Sequence, residues 1–371
     1  MKRWIAGLFT ALLVLYNGVA RAQTSAAAAC IVELTTGRVL FEYEADTQLP
    51  MASTTKVMTA LLALEMGEPD EPVTCSENAY GVPGTSIYLD LGETLPLGQM
   101  LLGLMLASGN DAAVAIAEHL GGSVEEFAQM MNARALELGA RNTHFVTPHG
   151  LPMDGHYTTA RDLALISRHA MTLPAFRRIV STQRASIPWA GRDYDRQLQN
   201  KNRLLSDYPG ATGVKTGYTR AAGRCLVFGA QRDRLELVGA LLNCPEWFDE
   251  AARLMDGCFE QYGMLTLYRA GEDARVVPVQ GGVGRTVSAV AVTDLSVPVR
   301  QGEEVRLVLD LPEQIEAPVR AGDELGTASA VLSGETLLTV PLVAAQDVQA
   351  RSFTVNIRTI LLHWPLLNGW Q

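Results

Sequence analysis

The stretch Leu49-Pro50-Met51-Ala52-Ser53-Thr54-Thr55-Lys56-Val57-Met58-Thr59-Ala60-Leu61-Leu62-Ala63-Leu64 decides how the rest of the chain is read. Val57, Ala60, Leu61 and Leu64 recur at helical spacing, so a helix starts near Ser53. Its first turn carries a hydroxyl at 53 and an amine at 56, and positions i and i+3 of a helix share a face. A serine hydroxyl is a poor nucleophile until a base takes its proton. A lysine can be that base when burial or a nearby cation lowers its pKa. Alone the pair carries little, because Ser and Lys also meet at helix starts by chance.

Two further triplets give it weight. Ser108-Gly109-Asn110 offers a hydroxyl that could relay protons and an amide that could hold a substrate carbonyl, although the same residues also make ordinary turns. Lys215-Thr216-Gly217 opens a strand region. Its Lys and Thr can grip a carboxylate, and its Gly allows a substrate backbone to lie close along a strand edge. The three triplets in this order are the set found in penicillin-binding proteins and class A β-lactamases.

Lysine usage points the same way. The chain holds 30 Lys plus Arg, of which only Lys2, Lys56, Lys201 and Lys215 are lysine. Where a positive charge merely solvates, this sequence uses Arg. Arginine cannot shed its proton near neutral pH and cannot act as a base, which is a physical reason for Lys at 56. Lys201 shortly precedes the Gly213-Val214-Lys215 run and is expected to line the same cleft.

Around these triplets the chain alternates elements. Residues 31–43 read as two short strands about a turn, Leu97 to Leu120 as buried helix, and Val124 to Leu138 as an amphipathic helix closed by Gly139. Residues 225–228 and 235–242 read as strands. A helix with Trp247, Phe248, Ala251, Leu254, Met255, Cys258 and Phe259 on one face closes an α/β domain, 23–265. Residues 268–350 alternate short apolar runs with Gly, Pro and Asp turns and read as a small all-β domain.

The ends differ from the middle. Lys2 and Arg3, the apolar run from Trp4 to Tyr16 and the Ala20-Arg21-Ala22 site make residues 1–22 a cleavable secretory signal. Its loss removes three positive charges and takes the formal net charge from −10 to −13. In the tail, 351–371, Phe353, Ile357, Ile360, Trp364 and Leu367 share one helical stripe with Arg351 and Arg358 and no acid. That composition suits a helix lying in an anionic membrane surface, kinked at Pro365. The alternative is a last helix packed on the chain's own β domain. An acidic chain without zinc-finger spacing, GxGxxG turn or Walker loop is no nucleic-acid binder. Cys30, Cys75, Cys225, Cys244 and Cys258, scattered and odd in number, read as small buried hydrophobes.

The sequence resembles the low-molecular-weight penicillin-binding proteins, the serine-type D-alanyl-D-alanine carboxypeptidases (peptidase family S11), from about residue 26 to 350. The resemblance is carried by 49–56, by Ser108-Gly109-Asn110-Asp111-Ala112, by Asn142-Thr143-His144-Phe145-Val146-Thr147-Pro148-His149-Gly150-Leu151, and by Val214-Lys215-Thr216-Gly217-Tyr218-Thr219. It implies an α+β fold: a penicillin-binding domain, similar to β-lactamases and transpeptidases, with a central antiparallel sheet flanked by helices, then the β-rich domain.

It further implies Ser53 as acylated nucleophile, Lys56 as base and Ser108 as proton donor to the leaving D-alanine. Asn110 would bind the substrate amide, and Lys215 and Thr216 the terminal carboxylate, with Gly217 and Lys201 lining the cleft. The backbone N–H groups of Ser53 and Tyr218 would form the oxyanion hole. No metal or cofactor is implied; the partners are peptidoglycan stem peptides, β-lactam antibiotics as covalent inhibitors and the membrane surface. The enzyme would work outside the cytoplasmic membrane, at its outer face or in the wall. His149 reads as structural. Some members carry an Arg after the strand that follows Lys-Thr-Gly; here 243–248 has none, and Arg220 or Arg224 is the substitute to examine. The competing readings are a β-lactamase or esterase on the same fold, a catalytically silent wall-binding scaffold, and transpeptidation through the same acyl-enzyme.

Overall fold

The computed structural model describes residues 24–351. The expected signal and the tail beyond Arg351 lie outside them. Among the described residues no helix is long and apolar enough to cross a membrane.

In chain order the first domain comprises strands β1 (Ala28–Glu33) and β2 (Val39–Tyr43), helix α1 (Lys56–Met66), the small strands β3 (Pro72–Thr74) and β4 (Thr94–Pro96), and helices α2 (Leu97–Leu102), α3 (Asn110–Gly121), α4 (Val124–Glu137), α5 (Ala160–Thr172) and α6 (Pro174–Ser181). The hairpin β5 (Arg184–Ile187) and β6 (Arg196–Gln199), the one-turn helix α7 (Leu204–Asp207), strands β7 (Ala211–Thr219), β8 (Gly223–Arg232) and β9 (Leu235–Leu242) and helix α8 (Trp247–Gln261) complete it. Five strands form an antiparallel sheet in the order β2-β1-β9-β8-β7. The central strands β1 and β9 are buried along their whole length, because helices cover both faces. The continuous apolar run at 235–242, without polar alternation, is the sequence image of that double cover. On one face α8 packs Ala251, Leu254, Met255 and Cys258 against Phe228, Leu237 and Leu241. On the other, Val57, Ala60 and Leu61 of α1 join Ala112, Ile116 and Phe127 of the helical layer. Edge strand β7 pairs only with β8, so its outer edge is free toward the cleft.

The stretch 97–120 is not one helix. Gly103–Ala107 widens into a π-helical turn, and Ser108 then adopts a left-handed conformation at φ +64° before α3 begins. Left-handed backbone at a non-glycine residue costs roughly 1 kcal/mol. The break turns Ser108 into the cleft instead of leaving it on a continuous helical face.

The chain enters the second domain at Tyr262, where the alternating pattern alone placed its start at 268. Strands β10 (Tyr262–Tyr268) and β13 (Leu295–Arg300) pair with each other. The other strands, β11 (Asp273–Gln280), β12 (Thr286–Ala291), β14 (Val305–Asp310), β15 (Ile315–Glu316), β16 (Glu324–Leu332) and β17 (Glu335–Ala344), form a six-stranded sheet in the order β14-β16-β17-β12-β11-β15. Arg38, in the turn after β1, joins the domains: it donates to the Pro298 carbonyl at 2.6 Å and pairs with both carboxylate oxygens of Glu303. All five cysteines are buried and unbridged.

Candidate active site

Ser53 lies in a single 3-10 turn, Ala52–Thr55, that feeds α1. Ala52 before it is held at φ +49°, a conformation an alanine adopts only under constraint. Two contacts impose it. Thr55 Oγ1 donates to the Ala52 carbonyl at 2.8 Å, and Gly150 packs so tightly there that a Cβ at 150 would stand 1.8 Å from the same oxygen. Gly150 is itself at φ +87°.

Lys56 is fully buried. Its Nζ lies 2.7 Å from Asn110 Oδ1, 2.9 Å from the His149 carbonyl oxygen and 3.1 Å from Ser53 Oγ. Burial, then the charges of Lys215 and Lys201, push its pKa well below the ordinary lysine value. A neutral amine has two N–H groups and one lone pair. Asn110 Oδ1 and the His149 carbonyl can only accept, so the two N–H groups go to them and the lone pair is left facing the Ser53 hydroxyl. The orientation of Asn110 is fixed independently, because its Nδ2 donates to the Pro83 carbonyl at 2.6 Å. The geometry can support proton transfer from Oγ to Nζ.

The SGN segment is tied to an extended wall segment around Thr85–Leu89 that belongs to no sheet. Asn110 N–H donates to the Thr85 carbonyl at 2.7 Å, and Thr85 Oγ1 donates to the Ser108 carbonyl at 2.6 Å. Buried Asp111 accepts from Ser86 Oγ and from the backbone N–H groups of Ile87 and Leu89. Ser108 itself is buried at the cleft.

On the opposite wall β7 carries Lys215, Thr216, Gly217 and Tyr218. Lys215 is buried, its Nζ donating to the Thr216 carbonyl at 2.8 Å, and burial with the nearby Lys201 charge pushes its pKa down to about 7. Gly217 has a second duty beyond clearing a strand edge. A Cβ there would lie 2.9 Å from the Ser53 nitrogen and 3.0 Å from the Thr54 nitrogen. The absent side chain lets β7 close on the turn and bring the Ser53 and Tyr218 backbone N–H groups to one region.

Ser53, Ser108, Asn110, Lys201, Thr216, Gly217 and Tyr218 line one cleft of about 410 Å³, together with Gly84, Thr85, Leu151, Thr219 and Trp247. Lys56 and Lys215 stand directly behind it. Lys201 is carried on the segment after β6, a hairpin anchored by the buried pair Arg196–Glu93 at 3.0 Å. Neither Arg220 nor Arg224 is among the lining residues. Arg224 donates instead to the Pro245 carbonyl and faces the Trp247 ring at 5.9 Å, so the cations that line the cleft or stand behind it are lysines.

Sequence reading missed several members of this assembly. The His149 carbonyl orients Lys56, a backbone role that no residue type announces. His156 Nδ1 accepts from the Val146 N–H at 3.0 Å, which leaves Nε2 protonated to donate to Thr55 Oγ1 at 2.8 Å. Only the motif stretches that contain Gly150 and Asp111 gave any signal.

Comparison with known proteins agrees with this geometry. Residues 16–246 match the D-alanyl-D-alanine carboxypeptidase family, and residues 262–350 match the penicillin-binding protein 5 C-terminal domain. The chain is 33% identical to D-alanyl-D-alanine carboxypeptidase DacF of Bacillus subtilis, over 91% of its own length and 90% of that relative. It is 31% identical to DacA of Escherichia coli K12, covering 92% and 89%. Among solved structures, penicillin binding protein 5 from Haemophilus influenzae superposes with a TM-score of 0.72 at 29% identity, covering 90% of this chain and 100% of that one. The chain belongs to the D-alanyl-D-alanine carboxypeptidase family of serine peptidases, and it is a carboxypeptidase of that class.

Proposed function

We propose that Ser53 is the residue acylated during this reaction, and that the substrate is the D-Ala-D-Ala end of a peptidoglycan stem pentapeptide. The terminal carboxylate rests against Thr216 and the Lys201 and Lys215 cations. Lys56 takes the Ser53 proton as Oγ adds to the penultimate D-alanine carbonyl. The Ser53 and Tyr218 N–H groups hold the developing oxyanion; one such donor is worth roughly 3 kcal/mol in comparable sites. The C–N bond breaks, and Ser108 passes the proton to the departing D-alanine nitrogen. Water then adds to the ester and gives a proton to Lys56; the acyl–Oγ bond breaks, Lys56 returns that proton to Ser53 Oγ, and a tetrapeptide leaves. Asn110 offers the substrate amide the second N–H of Nδ2, the first staying on the Pro83 carbonyl, and keeps Lys56 in place with Oδ1. β-Lactams acylate the same Oγ.

The observation that carries this reading is the 3.1 Å approach of a buried Lys56 amine to Ser53 Oγ with both its N–H groups already taken by pure acceptors. The test is D-alanine release from diacetyl-Lys-D-Ala-D-Ala by wild type and Ser53→Ala, with fluorescent penicillin labelling of both. Release and labelling should vanish together; equal release by the two proteins refutes the assignment.

The charge and hydropathy of the chain's ends support export and attachment of the tail to an anionic membrane face, placing the enzyme outside the cytoplasmic membrane. Flotation of full-length and 1–350 protein with vesicles containing anionic lipid tests the tail: only the longer protein should float.

A further inference from the structure

A second groove, of about 700 Å³, lies beyond the catalytic turn. It is bounded by Pro50–Ala52 on one side, by Pro152, Met153, Asp154 and His156 on another, and by Thr219 at the end of β7. Thr219 also lines the catalytic cleft, so the two spaces meet there. The direction of the substrate follows from the order of residues on β7. The carboxylate lies at Lys215 and Thr216 and the scissile carbonyl at the Tyr218 N–H. A peptide added to the free edge of β7 therefore runs antiparallel to it, and its preceding residue passes Thr219. The groove opens where that residue's side chain must go.

Its charge is the opposite of the cleft's. The cleft holds Lys201 with Lys215 behind it, whereas Asp154 is the sole residue of fixed charge lining the groove. Arg220, between the lining residues Thr219 and Ala221, does not line it. Asp154 is exposed, and no described residue forms an ion pair or side-chain hydrogen bond with its carboxylate. His156 is hydrogen-bonded as a neutral ring and leaves that carboxylate unopposed. A ligand matched to both ends carries an anion at its C-terminus and a cation on the side chain two residues upstream.

We propose that this groove is the subsite for the side chain of the diamino acid preceding D-Ala-D-Ala, with Asp154 accepting its free ammonium. The inference rests on the reading of Ser53 and Lys215 given above. The enzyme then prefers stem peptides whose side-chain amine is free over those whose amine is acylated, as in a cross-link. Because the pair is exposed to water, the preference is modest, about 2- to 5-fold in kcat/KM.

The experiment compares D-alanine release from Nα-acetyl-Lys-D-Ala-D-Ala and Nα,Nε-diacetyl-Lys-D-Ala-D-Ala. Wild type should favour the free amine, less so at high salt. Asp154→Asn should bring the ratio close to one, and Asp154→Lys should reverse it. A wild-type ratio of one, or a ratio that neither substitution moves, overturns the subsite while D-alanine release still upholds the carboxypeptidase chemistry. Wild type that releases D-alanine from neither peptide removes both.

Discussion

His156 Nε2 stands 2.8 Å from Thr55 Oγ1, and through it reaches the carbonyl of Ala52, the strained residue next to the nucleophile. The Val146 N–H fixes the tautomer, so the chain has one direction: ring N–H to hydroxyl, hydroxyl to carbonyl. His156 touches no reacting atom and acts as a positioning residue. His156→Ala leaves a buried hydroxyl short of a partner, at a cost of about 1–3 kcal/mol in stability. It should lower kcat about tenfold with little change in KM, because Ser53 is displaced from attack while the carboxylate site is untouched. His156→Gln, whose amide can donate to Thr55, should recover most of the loss. Steady-state kinetics of the two variants decide it; equal losses in both would reduce His156 to packing.

Half-buried His149 and buried His156 also set how the fold responds to acid. Burial, followed by the Lys56 charge, pushes His149 down to about 3, and burial with the nearby His144 pushes His156 down to about 4. Between about pH 6.5 and those values the unfolded chain binds protons that the native state refuses. Stability therefore falls as pH drops through that window and is level above it with respect to these groups. Melting temperature measured from pH 7.5 to 4 should decline progressively below about 6.5, and His156→Gln should flatten part of the slope. A flat profile in wild type contradicts the holding of both rings as neutral species.

Lys215 and Lys56 ask for opposite protonation states. On the proposed mechanism Lys56 must be neutral to act as base, whereas Lys215 would bind a carboxylate best as ammonium, and burial with the Lys201 charge pushes its pKa down to about 7. Raising the pH through 7 should therefore raise KM for peptide substrates while kcat holds, since bound carboxylate restores the Lys215 proton. Lys215→Arg, which cannot deprotonate, should remove that alkaline limb even if its overall kcat/KM is lower. The pH dependence of KM is the measurement, and an identical alkaline limb in the variant would locate the titration elsewhere.

What the sequence disclosed was the chemistry carried by side chains at fixed spacing. Ser53 and Lys56 were legible from i, i+3 on a helix start, and Lys215 and Lys201 from the scarcity of lysine; one cleft receives all four groups or their neighbours. The run 235–242 was legible as a strand, whereas the sheet flanked by helices came from the family resemblance. Roles played by backbone were not legible: the His149 carbonyl on Lys56 and the left-handed turn at Ser108 depend on geometry that residue type does not encode. Nor was the contact of His156 with Thr55, which joins residues 101 positions apart. Gly217 was read only for the strand edge; its bareness also accommodates the turn that holds Ser53.

Gly150 provides the severest test of the turn. Its φ of +87° disfavours any side chain, and a Cβ would meet the Ala52 carbonyl oxygen at 1.8 Å and Thr55 Oγ1 at 2.7 Å. Both obstacles belong to the segment that holds Ser53, and neither is the flexible end of a long side chain. Gly150→Ala must push that turn away, breaking the Thr55–Ala52 bond and drawing the His149 carbonyl off Lys56. The loss should reach several kcal/mol, of the order seen for strained backbone combined with overpacking. Penicillin acylation should fall at least a hundredfold in whatever protein remains folded. Ala52→Gly acts in the other direction: it relieves the left-handed strain at φ +49° and should leave stability equal or up to about 1 kcal/mol higher. It should also slow acylation, because the freed turn no longer holds Ser53 in one place. Denaturant titration and penicillin labelling of both variants separate the outcomes, and a Gly150→Ala protein with wild-type acylation would show that the turn does not need its constraint.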